Sequence, residues 1–130
     1  MTKFTLNPIE EIDGKQDIYK IQIDDECLFD NFEDEIEKRG QYEEELNSIY
    51  SLIEDVANNK LLPKTKFRDI SISKKDTVKE YEFKSKHLRV YPIKASNGKI
   101  IIMGGYKNNQ KKDIKKFRSI KSEYVKTLEK

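Results

Sequence analysis

Between Lys84 and Tyr91 the chain sets a lysine, a histidine, an arginine and a tyrosine, all residue types that handle phosphate. Arginine offers a planar, permanently charged fork to a phosphate, lysine a point charge, and tyrosine a ring that stacks on a base. His87, the one histidine, is a candidate general acid. Downstream, Tyr106 and Lys107 follow Gly104 and Gly105, and Lys111, Lys112, Lys115 and Arg118 extend the cationic set. Such groups suit phosphate binding, or stabilisation of a phosphate that gains charge during cleavage. Other chemistries fit poorly. A single His and a single Cys exclude by counting a zinc site built from those ligands. No Ser-His-Asp arrangement can be assembled. Gly104-Gly105 lacks the spacing and following helix of a nucleotide-phosphate loop. No metal and no cofactor are expected.

The charge distribution agrees with a polyanion partner. Residues 1–58 carry 17 Asp+Glu against 5 Lys+Arg, a net of −12, whereas residues 59–130 carry 7 against 21, a net of +14. The near-neutral total of +2 therefore hides a bipolar molecule. The asymmetry points to a polyanion partner for the basic half, nucleic acid first, with mutual neutralisation of the two halves across the folded surface as the plainer alternative. The 130 residues fit one domain with a modest core, anchored by 7 Tyr and 6 Phe. Cys27 lies beside Leu28 and Phe29 and reads as a core residue in a reducing compartment. No apolar run is long enough for a membrane span or a secretory signal, so a soluble cytoplasmic protein is expected.

The elements that must position these groups follow from periodicity. Tyr19, Ile21 and Ile23 alternate with Lys20 and Gln22 in a half-buried strand over 17–24. Asp24, Asp25 and Glu26 are cap candidates for a helix carrying Leu28, Phe29, Phe32 and Ile36 and stopped by Gly40. Tyr42, Leu46, Ile49, Tyr50, Ile53, Val56 and Ala57 form the apolar stripe of a second helix, with Glu43, Glu44 and Glu45 on its solvated face. After Asn58, Asn59 and Pro63 the period becomes two. Strands are expected around Ile70 and Ile72, over 79–84, over 87–92 and over 99–104, the last apolar enough to be central. Ser96-Asn97-Gly98 is a tight turn in which Asn-Gly takes positive φ. Ile114, Phe117, Ile120, Tyr124 and Leu128 step along a basic C-terminal helix. The expectation is an α+β fold: a helical hairpin on one face of an antiparallel sheet of four or so strands, with the last helix at its side. Residues 1–16 are an N-terminal extension, 17–58 an acidic strand and hairpin, and 59–130 the basic sheet and helix. The second sheet face, carrying His87, Arg89 and Tyr91, is the expected working surface.

Three segments carry a resemblance: Glu80-Tyr-Glu-Phe-Lys84, His87-Leu-Arg-Val-Tyr91, and Gly98-Lys-Ile-Ile-Ile-Met-Gly-Gly-Tyr-Lys-Asn-Asn-Gln-Lys-Lys112. Together they resemble the RelE/ParE superfamily of bacterial toxins, with HigB-type and phage-derived members nearest. The likeness covers about residues 67–125 at motif level. It implies a RelE-like fold and the toxin of a type II toxin–antitoxin pair, with an antitoxin protein, mRNA and the ribosome as partners. RNA-cutting members of the family work on ribosome-bound mRNA without a metal, using basic groups to hold the scissile phosphate while the neighbouring 2′-hydroxyl attacks it. Carried over, Arg89 matches the strand arginine and would grip that phosphate. Lys84 stands where the family usually has arginine. Lys107, Lys111 and Lys112 match the lysine-rich segment, Tyr91 or Tyr106 would stack on a base or relay a proton, and Lys115 and Arg118 would add RNA contacts. Two other readings stand beside this one: a non-catalytic member of the same fold that binds nucleic acid or protein, and a small structural adaptor.

Overall fold

The computed structural model of the protein describes residues 2–129. Chain order is β1 (Phe4–Pro8), β2 (Asp17–Ile23), α1 (Leu28–Arg39), α2 (Glu43–Ala57), β3 (Phe67–Asp69), β4 (Tyr81–Lys84), β5 (Leu88–Ala95), β6 (Gly98–Tyr106) and α3 (Gln110–Leu128), with a short 3₁₀ turn at Lys107–Asn109. The strands form one sheet in the order β1-β2-β6-β5-β4-β3. β2 pairs with β6 in parallel and every other neighbour is antiparallel, so the sheet is mixed and has six strands. The apolar strand β6 is central, as its composition predicts.

Both helices of the acidic half form where the stripes place them. Phe29, Phe32 and Ile36 bury one side of α1, and Leu46, Ile49 and Ile53 one side of α2. Gly40 ends α1 in the left-handed region at φ 66°, which a side chain would resist. The hairpin packs on a sheet face made of Ile18, Phe83, Leu88, Val90 and Ile101. Cys27 caps α1 in place of the acidic residues before it and is half-buried, its thiol pushed up by burial.

The opposite face corrects the expected architecture. It is no open working surface, because α3 lies across it. Phe117 and Tyr124 pack there on Ile21, Tyr91, Ile93, Ile100 and Ile102. Tyr19, Ile21 and Ile23 point to this side rather than toward the helical hairpin, while Ile18 and Lys20 face the hairpin, with Lys20 paired to Asp30 at 2.7 Å. The N-terminal extension is also structural: β1 pairs with β2 from Phe4↔Ile23 to Pro8↔Tyr19 and supplies the sheet edge. β3 is confined to Phe67–Asp69, and Ile72, expected in a strand, is 77% exposed.

Two local devices reconcile the sequence with this sheet. Pro92 sits in β5 at a register shift between Tyr91 and Pro92, where Ile102 is the extra residue of β6. A bulge accommodates a residue that has no N–H to donate. The β5–β6 turn is tight, with Ala95 opposite Gly98, yet neither Asn97 nor Gly98 takes the expected positive φ. Gly98 is required for a different reason: a Cβ there would collide with the backbone of Asp17 on β2.

Candidate active site

Gly104 and Gly105 shape a groove at the end of β6. They point to opposite sheet faces, and each lies where a helix comes very close. A Cβ on Gly104 would strike the Phe32 ring of α1, and one on Gly105 the Asp113 carboxylate of α3. Two helices can therefore converge on the C-terminal end of β6. Between them opens a groove of about 560 Å³, lined among others by Glu35, Arg39, Tyr42, His87, Tyr106 and Lys116.

His87 stands at one wall of this groove, and α2 positions it. Its ring Nδ1 lies 2.6 Å from Glu45 Oε2. The other oxygen, Oε1, accepts the backbone N–H of His87 at 2.8 Å and the Ser85 hydroxyl at 2.6 Å. Burial alone would raise the Glu45 carboxyl, but hydrogen bonds from Ser85 and His87 outweigh it and hold Glu45 below the ordinary glutamate range. An ionised carboxylate only accepts, so the hydrogen of the neutral ring belongs on Nδ1 and the Nε2 lone pair is left free. The His87 side chain is 44% exposed, so the ring is both fixed and reachable.

Aromatic rings and a cation surround it. Tyr42 lies 5.0 Å from the His87 ring and 6.0 Å from Tyr106, which in turn meets Phe32 edge-on at 5.7 Å. The Arg39 guanidinium sits 4.9 Å from the Tyr106 ring centre, near enough for a cation–π contact, and also pairs with Glu35 at 2.9 Å. Burial pushes the Tyr106 hydroxyl up, with the nearby Glu35 charge adding to it; the hydroxyl itself makes no hydrogen bond of ordinary geometry. Lys107 is exposed just beyond, and its backbone N–H donates to the His87 carbonyl at 2.8 Å. The groove thus combines a fixed proton acceptor, stacking surfaces and cations.

The other sequence-derived residues are placed differently. Arg89 is only 5% exposed on the α3 side of the sheet. Its Nη1 donates to the carbonyls of Ser85 at 2.7 Å and Leu88 at 2.8 Å, while Nε is buried without a partner. It ties down the turn between β4 and β5 and does not line the groove. Tyr91 is fully buried, stacked on Phe117 at 5.4 Å, and offers no ring face to a base. Lys84, half-buried, is paired across the strands with Arg89. Lys112 is exposed on α3, and Lys111, Lys115 and Arg118 line a separate cleft of about 550 Å³ with Arg68 and Ile114. Arg118 is already engaged, by Glu80 at 2.7 Å and by the Ile70 carbonyl. Of the residues singled out from sequence, the structure brings together His87 and Tyr106, with Lys107 adjoining.

Glu45, Tyr42 and Arg39 are the members of the site that sequence reasoning passed over. The apolar stripe puts Glu45 on the solvated face with Glu43 and Glu44, and only its position one helical turn after Tyr42, on the border of that stripe, hints otherwise. No helix among the described residues is long and apolar enough to cross a membrane. No family model matches the chain, and no curated protein or solved structure matches it significantly.

Proposed function

We propose that the protein is a RelE-like endoribonuclease, the toxin of a type II toxin–antitoxin pair, which cleaves ribosome-bound mRNA without a metal at the groove beside His87. The observation that carries this reading is the Glu45–His87 pair, which presents a free Nε2 at an aromatic, cation-bearing groove. The order of elements after β1, a strand, a helical hairpin, antiparallel strands and a helix, is also the order that the motif resemblance implies.

In this proposal His87 Nε2 takes the proton of a ribose 2′-hydroxyl as its oxygen attacks the adjacent phosphorus. The P–O5′ bond breaks, the imidazolium returns the proton to the leaving 5′-oxygen, and the products are a 2′,3′-cyclic phosphate and a 5′-hydroxyl. Glu45 stabilises the transient imidazolium, as the carboxylate of a catalytic triad does for its histidine. Arg39 on the groove wall and the adjoining Lys107 offset charge on the five-coordinate phosphate, and Tyr106 or Tyr42 offers a face to a base. The gripping role passes from Arg89 to these residues, because a guanidinium committed to two carbonyls inside the sheet has no route to a phosphate.

The test is a primer-extension map of mRNA 5′ ends after induction, comparing wild type with His87→Ala. New ends in the wild type that vanish in His87→Ala are expected. No ribosome-dependent ends in the wild type would transfer the assignment to the non-catalytic binding module, which needs only the basic surface of α3.

A further inference from the structure

At the other end of β5 and β6, remote from His87, a lysine is buried without a counter-charge. Lys99 is 9% exposed, and no carboxylate pairs with it among the described residues. An ammonium carries three N–H donors. One of them meets Gln16 Oε1 at 2.9 Å. Gln16 is held in place by its own side-chain bonds to the Val56 carbonyl and Asn59 Oδ1. The remaining neighbours are the faces of Tyr81, 5.2 Å from Nζ, and Phe67, 5.9 Å away. Directly opposite Lys99 across the strand pair stands a second lysine, Lys94.

Like charges facing each other on one sheet face destabilise it, and a buried charge without a partner costs more still. Burial, and then the Lys94 charge, push the Lys99 ammonium down. Both lysines line a recess of about 300 Å³ that Gln16, Tyr81 and the Ser96–Asn97 turn complete. Lys94, on its wall, is exposed.

We propose that this recess is an anion site that takes a phosphate group, bound between the Lys94 and Lys99 ammoniums at the β5–β6 turn. A dianion there relieves the repulsion across the strands and supplies the acceptors that Lys99 lacks. The site is independent of the groove beside His87 and of any ribonuclease activity. Inorganic phosphate and the phosphate of a 5′-mononucleotide share the required chemistry.

The experiment is thermal unfolding of the full chain in inorganic phosphate, in AMP, and in sodium chloride of matched ionic strength. At a hundredfold excess over Kd a bound ligand should raise the midpoint by about 5–10 °C above the chloride control. A similar shift at equal free concentration assigns the site to the phosphate group alone, and a clearly larger one with AMP assigns it to a nucleotide; both support it. Lys99→Met, which keeps the apolar stem, should abolish the shift while melting no lower than wild type in chloride. The exposed Lys94→Gln should weaken phosphate binding roughly tenfold or more without affecting the fold. The proposal is overturned by the absence of a shift beyond chloride, by an undiminished shift in Lys99→Met, or by a Lys99→Met protein that melts well below wild type in chloride. The last result would assign Lys99 to structure.

Discussion

Glu45 concentrates three hydrogen bonds on one carboxylate, and the consequences for His87 are measurable. His87→Ala should lower the cleavage rate about a hundredfold or more, the usual worth of a positioned acid–base group. Glu45→Gln leaves a neighbour that can both donate and accept and therefore no longer dictates the ring tautomer. Its loss should be roughly tenfold or more in rate, with RNA affinity little changed, in a gel-shift assay run beside the cleavage assay. The pH dependence has a fixed sign. The Glu45 value in the fold lies below the ordinary 4.5, so its stabilising contribution is complete above that pH and is lost as pH falls through the lower, folded-state value. In acid denaturation Glu45→Gln should accordingly flatten the acid limb; an unchanged limb would remove Glu45 from the account. Arg89→Ala is expected to act on stability. It strips the guanidinium donor from the Ser85 carbonyl, at a cost of about 1–3 kcal/mol if that group is left unsatisfied, whereas the Leu88 carbonyl keeps the Ser85 N–H; urea unfolding should show the deficit.

At the scale of elements, α3 decides what the basic half of the chain can do. Glu80, just before β4, and Glu82, within it, point toward α3 and are 3% and 0% exposed. Glu80 receives Lys121 at 2.8 Å together with Arg118, and Glu82 receives Gln110 and Arg68. The helix is thus clamped by charge along its sheet-facing side. Breaking one partner of a buried pair strands the other and costs several kcal/mol, whereas Lys111, Lys112 and Lys115 stand exposed and lack protein partners among the described residues. The Asp113 side chain of α3 also occupies the space that Gly105 leaves free. Gly105→Ala drives a methyl into the space of Asp113 and should cost about 1–3 kcal/mol, read in urea unfolding, with the β6 end of the groove disturbed as well. An unaffected stability would mean that the Asp113 carboxylate swings aside without cost.

For the whole molecule, the sheet separates the two signs of charge. The acidic hairpin lies on one face and the lysine-rich helix on the other, so the molecule is polar across the sheet. Such a charge distribution orients it against a polyanion before contact. RNA affinity should fall steeply with salt, each neutralised phosphate adding roughly 0.7 units of log–log slope on a single strand. Replacing Glu43 and Glu44 with Gln should leave that slope unchanged, since both are exposed on the far side. Filter binding across a salt series checks both statements, and salt-independent binding would remove polyanion recognition altogether.

Most elements were legible because the period of apolar residues is a local property. The stripe from Tyr42 to Ala57, the stop at Gly40, the apolar run of β6 and the stepping of Ile114 to Leu128 each specify their element without reference to the rest of the chain. Alternation in β5 also separates Leu88 and Val90 from Arg89 and Tyr91, but it cannot say what covers either face. That depends on where α3 lands, and α3 lands on Arg89 and Tyr91. The N-terminal strand was equally hidden, since β1 is specified by pairing with β2 and not by a period of its own. The Glu45–His87 contact joins residues 42 apart in the chain. Glu43, Glu44 and Glu45 are alike as letters, and only the packing of α2 against the start of β5 puts one of the three carboxylates against the single imidazole.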